Sequence, residues 1–187
     1  LAILRPHRPP SDAPMNKSVL TVGLALVLPL VWVLSRGFGT DPQYIPSPLI
    51  DKPAPSFNLP VLDGNGENLD LTSLRGKPVV LNFWATWCDS CGYEHPILSR
   101  LARAYTGRVE FVGVAYLDSE ENLRKWLKSH GGAHFPTVID VGTSAAVAFG
   151  VGRLPETYLI DQAGVVRHKV FGPIDPADFV RRLEALL

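Results

Sequence analysis

Cys88 and Cys91 are the only cysteines in the chain, and they stand where an apolar run meets a helical pattern. The run is Pro78 to Ala85, and Pro96 follows five residues after the second cysteine. A strand feeding straight into a helix puts Cys88 at the helix N-terminus. Unsatisfied N–H groups and the helix dipole there favour a thiolate over a thiol. Cys91 falls one turn further along the same face, near enough to close a small ring with Cys88. That suits thiol–disulfide exchange, in which an exposed sulfur attacks and a shielded second sulfur resolves the mixed disulfide. The same spacing serves as half of a structural zinc site, but such sites take four protein ligands. No second Cys-x-x-Cys or paired-histidine motif completes one; His95 is adjacent, while His130 and His134 lie in another segment. The expectation is a redox-active Cys88–Cys91 disulfide, with no separate cofactor and no metal.

Length and composition narrow the alternatives. The 187 residues leave room for one domain and an appendage. A hydrophobic content of 46% with a formal net charge of zero argues against disorder and against a nucleic-acid partner. Residues Val19 to Leu34 carry no charge and are bracketed by Lys17 and Arg36. This is short for a span, yet sufficient with interfacial flanks. Ser35-Arg36-Gly37-Phe38-Gly39 is a poor small-x-small cleavage site, so an uncleaved signal anchor is preferred to a cleaved signal peptide. Arg5, Arg8 and Lys17 precede the span and only Arg36 follows closely, which places the N-terminus in the cytoplasm. Met15 is the only methionine, so residues 1–14 stand as a candidate over-extended start, without which the charge argument is weak. Pro42, Pro46, Pro48, Pro53 and Pro55 then mark a semi-rigid spacer. The expected division is 1–17 N-terminal segment, 18–35 membrane anchor, 36–53 linker and 54–187 folded domain.

Within that domain, Phe57–Leu62 and Glu67–Leu71 flank Asp63-Gly64-Asn65-Gly66 and read as a β-hairpin. A helical turn is expected over Leu71–Gly76, and a strand apolar on both faces over Pro78–Trp84. Asn82 interrupts that strand and requires a polar partner. Tyr93–Tyr105 has helical spacing, with a kink expected at Pro96. Val109–Leu117 predicts a second buried strand, and Asp118-Ser119 caps a helix running to about His130. A strand at Phe135–Ile139, a short helix at Ser144–Phe149, a hairpin of Leu154–Ile160 with Val165–Val170, and a helix opened by Asp175-Pro176 complete the pattern. This describes an α/β sandwich with a mixed sheet.

The stretch Asn82-Phe83-Trp84-Ala85-Thr86-Trp87-Cys88-Asp89-Ser90-Cys91-Gly92-Tyr93-Glu94-His95-Pro96 resembles the active site of the membrane-anchored, extracytoplasmic thioredoxin-like TlpA/ResA/CcmG (DsbE) family. The likeness runs from about Ala54 to the C-terminus. Gly150-Val151-Gly152-Arg153-Leu154-Pro155-Glu156-Thr157-Tyr158 is similar to the Gly-Val-x-x-x-Pro-Glu-Thr-Phe stretch of the CcmG branch. The resemblance implies a thioredoxin-like fold with an N-terminal β-hairpin and a central insertion around 119–150. It also implies disulfide reduction in cytochrome c maturation, with apocytochrome c or a maturation partner as client. Electrons would come from a membrane donor of the DsbD/CcdA type, and the catalytic domain would lie on the periplasmic side of the inner membrane. Alternatives are a general ResA/TlpA-like reductase with other clients and a non-catalytic copper chaperone on the same fold. Asp89-Ser90 replaces the Pro-Thr often found between the cysteines of CcmG, and Arg153-Leu154 replaces small residues before the proline.

By the same resemblance Cys88 attacks, Cys91 resolves, and Pro155 carries a cis peptide bond that presents the backbone of Leu154 to a client strand. Trp87 and Glu156 complete the expected client-binding set, with Trp84 and Trp87 serving as packing and platform. Asn82 stands where ordinary thioredoxins carry a buried aspartate that deprotonates the inner cysteine. An amide cannot accept a proton, so that task falls to Glu94, one turn after Cys91.

Overall fold

The computed structural model describes residues 17–37, 47–132 and 134–187. Arg5, Arg8, Met15 and the prolines at 42 and 46 lie outside them. The chain divides into two units, residues 1–45 and 46–187. In the first, helix α1 spans Lys17–Gly37 with Pro29 inside it. Residues Lys17–Ser35 are long and apolar enough to cross a membrane, one residue longer than the expected anchor of 18–35. An uninterrupted apolar run satisfies its backbone polar groups internally as a helix.

The second unit is built on a five-stranded mixed sheet. Its strands are β3 (Val79–Trp84), β4 (Glu110–Tyr116), β5 (Thr137–Asp140), β6 (Glu156–Ile160) and β7 (Val166–Phe171), in the order β5-β4-β3-β6-β7. β3 pairs parallel with β4 and antiparallel with β6, so it is central, as its unbroken apolar composition predicts. Alternation along β3 sorts its side chains between two faces. Val79, Leu81 and Phe83 join Phe149 and Tyr158 on one face; Val80 joins Leu98, Leu159, Phe179 and Leu183 on the other. The second face is covered by α2 (Asp89–Ala104) and α5 (Pro176–Glu184). Helix α3 (Glu120–Ser129) buries Leu123 and Leu127 against Trp84 and the two cysteines. α4 (Ser144–Phe149) covers the first face through Ala145, Ala146 and Phe149. Capping fixes the helix starts: Ser119 accepts the Asn122 N–H and Asp175 the Asp178 N–H.

An antiparallel hairpin, β1 (Asn58–Pro60) with β2 (Asn68–Asp70), precedes the sheet and leads into a tight helical turn at Leu71–Leu74. Two expectations are corrected. Cys88 stands at the helix N-terminus as expected, but the helical range Tyr93–Tyr105 is too short: the helix begins at Asp89, because the Cys88 sulfur accepts the Cys91 N–H and starts the first turn. Residues 47–53 belong to the folded unit rather than the spacer. Asp51 and Ala54 donate N–H bonds to Val166 and Gly164, Pro53 bridges Val165, and Leu49 and Ile50 pack on the core. Proline is compatible with this position because an edge pairing leaves one side of the strand free of donors.

Candidate active site

The turn from β3 into α2 carries the cysteines. Their sulfurs are bonded, with Cα atoms 5.4 Å apart. Cys88 is the N-cap of α2, and its Sγ lies 3.2 Å from the Cys91 nitrogen and 3.5 Å from Ser90 Oγ. These donors, with the helix N-terminus, stabilise charge on that sulfur once the bond is reduced. The expected contrast between an exposed and a shielded cysteine is narrow, with Cys88 7% and Cys91 3% exposed. Both belong to one apolar cluster with Leu62, Trp84, Ala85, Leu123 and Leu127, and half-buried Leu154 packs against that cluster. The Leu154–Pro155 bond is cis.

Glu94 lies one turn along α2 from Cys91 on the buried stripe Cys91, Glu94, His95, Leu98 and Ala102. Only 1% of it is exposed. Its carboxylate accepts the Asn82 amide at 3.1 Å and the Thr157 hydroxyl at 3.4 Å, while Asn82 also donates to Thr157 at 2.9 Å. Asn82 and Thr157 are register partners on β3 and β6, which is why the two meet under α2. Burial pushes the Glu94 carboxyl up from 4.5 to about 7, against the donors Asn82, the Ile174 backbone and Thr157. A carboxyl with that affinity exchanges protons near neutral pH, as a general base must.

Glu156 is placed differently from its expected client-facing role. It is 1% exposed and points to the face opposite Glu94, where it pairs with Lys169 Nζ at 2.8 Å. It also accepts the Gly152 N–H at 3.1 Å and the Tyr158 hydroxyl at 3.2 Å. Strand alternation is the reason, since Thr157 faces α2 and its neighbours on β6 therefore face away. Trp87 stays 57% exposed, its indole donating to the Leu117 carbonyl at 3.2 Å. With Leu117, Asp118, Ser119, Asn122, Asp140 and Val141 it lines an open depression of about 370 Å³. Asp118 ties this rim to the cysteine loop by accepting the Thr86 N–H at 2.6 Å. His95 is packed among Trp84, Trp126 and Phe135, its Nε2 3.1 Å from the Gly132 carbonyl oxygen. Burial first, and then the neighbouring His130 and His134, set its proton affinity below that of a free imidazole, against the Gly132 carbonyl, which raises it.

A bonded cysteine pair at a helix N-terminus, set on a mixed sheet beside a cis-proline loop, defines the thioredoxin-like class of thiol–disulfide proteins. The chain belongs to the AhpC/TSA family, whose sequence pattern matches residues 50–169. It is 38% identical to the thiol:disulfide interchange protein DsbE of Pseudomonas aeruginosa over 161 residues, 86% of this chain and 88% of that one. Identity to the protein of the same name in Escherichia coli K12 is 36% over 169 residues, 89% and 90% of the two chains. Among solved structures, that of MTB DsbF in its mixed oxidized and reduced forms superposes with a TM-score of 0.64 at 33% identity. That match covers 70% of this chain and 95% of the other. The protein is a thiol:disulfide oxidoreductase of thioredoxin-like fold.

Proposed function

We propose that the chain is a membrane-tethered reductase of protein disulfides outside the cytoplasm, acting in cytochrome c maturation. The observation that carries this reading is Glu94, buried one turn beyond Cys91 and poised to exchange a proton at about pH 7. Likeness to proteins named DsbE along nearly the whole chain supports it, as does the apolar helix α1. The Cys88 thiolate attacks a client disulfide, forming a mixed disulfide and expelling one client thiolate. Cys91 passes its proton to Glu94 and attacks the Cys88 sulfur, which expels the second client thiolate. The client gains two electrons, and the protein is left as the Cys88–Cys91 disulfide. A membrane donor of the DsbD/CcdA type returns the electrons. The client strand lies along Leu154 and Pro155, with Trp87 and the adjoining depression taking its flanking side chains.

The deciding measurement is the reduction potential of the Cys88–Cys91 pair. A reductase requires a value near that of thioredoxin, about −270 mV, and a value near −120 mV makes the protein an oxidant instead. Topology has its own test, since a reporter active only outside the cytoplasm, fused after Leu187, must be active. Extraction of the full chain must require detergent, and release by salt alone removes the tether from the proposal.

A further inference from the structure

Residues 150–155 form neither helix nor strand, yet through Leu154 they pack against the apolar cluster that holds the cysteines. Three side chains from β6 and β7 converge on the backbone of that segment. Glu156 Oε1 accepts the N–H groups of Gly152 and Arg153 at 3.1 and 3.4 Å. The Tyr158 hydroxyl donates to the Phe149 carbonyl at 2.7 Å, and Lys169 Nζ donates to the Gly150 carbonyl at 3.2 Å. The three also bind one another, since Glu156 Oε2 takes both the Lys169 ammonium at 2.8 Å and the Tyr158 hydroxyl at 3.2 Å. Lys169 is enclosed further by the rings of Phe171 and Tyr158, 4.4 and 5.1 Å from its nitrogen. Its side chain is 6% exposed, an unusual state for lysine.

A buried ion pair adds little stability over apolar residues of the same shape. Its value lies in direction, because charge and hydrogen bonds fix where backbone groups must sit. We propose that Lys169 is a positioning residue for client recognition. With Glu156 and Tyr158 it holds residues 149–153, so that the backbone of Leu154 is presented to the client in one conformation. The proposal rests on the reading of Leu154 as client-facing. It adds that the device holding this loop stands on the sheet face opposite Glu94, so recognition and proton transfer are set from the two faces of β6.

Two probes separate recognition from exchange. One is a synthetic peptide closed by a Cys-x-x-Cys disulfide, long enough to lie along Leu154; the other is hydroxyethyl disulfide, too small to reach the loop. In Lys169→Met the ratio of kcat/KM for the peptide to the rate with hydroxyethyl disulfide should fall about tenfold, through KM rather than kcat. The pair Glu156→Gln/Lys169→Met leaves no unpaired buried charge and should show the same fall. An unchanged ratio, whether both rates drop together or neither does, overturns the proposal. A test on the unaltered protein stands apart from folding of the variants. The Gly152 and Arg153 amides should exchange with deuterium at least about a hundredfold slower than an open loop, and open-loop rates overturn the clamp. If the unaltered protein reduces hydroxyethyl disulfide but not the peptide, the client assignment fails, and amide exchange still decides the clamp.

Discussion

Glu94 and Asn82 meet in one buried polar site between β3 and α2. Asn82 only donates to the carboxylate, so it favours the charged form while burial favours the neutral one. Replacing Glu94 by Gln should leave the first attack by Cys88 nearly intact and slow release of the mixed disulfide about tenfold or more, as stopped-flow reduction of a client would show. Asn82→Ala removes a donor to the charged form. The pH at which release is half-maximal should therefore move upward from about 7. Stability follows the same proton. The folded carboxyl binds it more tightly than the unfolded one, so the contribution is complete below 4.5 and is lost as pH rises through about 7. The interval corresponds to about 3 kcal/mol at most. Melting of the disulfide form, in which the cysteines do not titrate, should therefore weaken more between pH 5 and pH 8 in the parent than in Glu94→Gln, where only other groups such as His95 still titrate.

The proposed order of the cysteines is tested at the first turn of α2, where Cys88 is the N-cap. In the reduced protein Cys88 should be alkylated at neutral pH while Cys91 is protected, and Cys91→Ser should trap the client through Cys88. Trapping through Cys91 in Cys88→Ser reverses the order. Asp118 holds the neighbouring loop, and Asp118→Ala should cost about 1–2 kcal/mol in urea unfolding by leaving the Thr86 N–H without its acceptor. Most elements were legible in the sequence because their ends carry local signals: Ser119 and Asp175 as caps, and Gly64 and Gly66 in the hairpin turn. The burial of Glu94 was partly legible, since it shares a helical stripe with Cys91 and Leu98. Thr157 was not, because its meeting with Asn82 depends on the register of β3 against β6, strands separated by 72 positions in the chain between Trp84 and Glu156. Lys169 was equally hidden. A lysine in an edge strand reads as solvated, and only a carboxylate from β6 explains its burial. Glu156 misled for the same reason, its proximity to Pro155 in sequence concealing the face to which it points.

At the scale of the whole folded unit, the segment ahead of the sheet touches both of its outer strands. Residues 51–54 bond along β7, and Asp51 pairs with Arg167 at 2.7 Å. At the other side Leu62 donates to the Thr137 carbonyl and Val61 bridges Val138, both beside β5. A protein begun at Ser47 should therefore match the full chain in the activity of its domain. One begun at Ala54 should unfold at lower urea, having lost Leu49, Ile50 and two of the bonds to Val166. Bare strand edges are templates for pairing with other chains. The segment that opens the folded unit thus doubles as a guard against self-association. Without residues 47–53 the shortened domain should dimerise or aggregate with rising concentration on size exclusion, while the domain begun at Ser47 elutes as a monomer. In a cell, cleavage within residues 47–53 would bare that edge and make the domain a nucleus for aggregation.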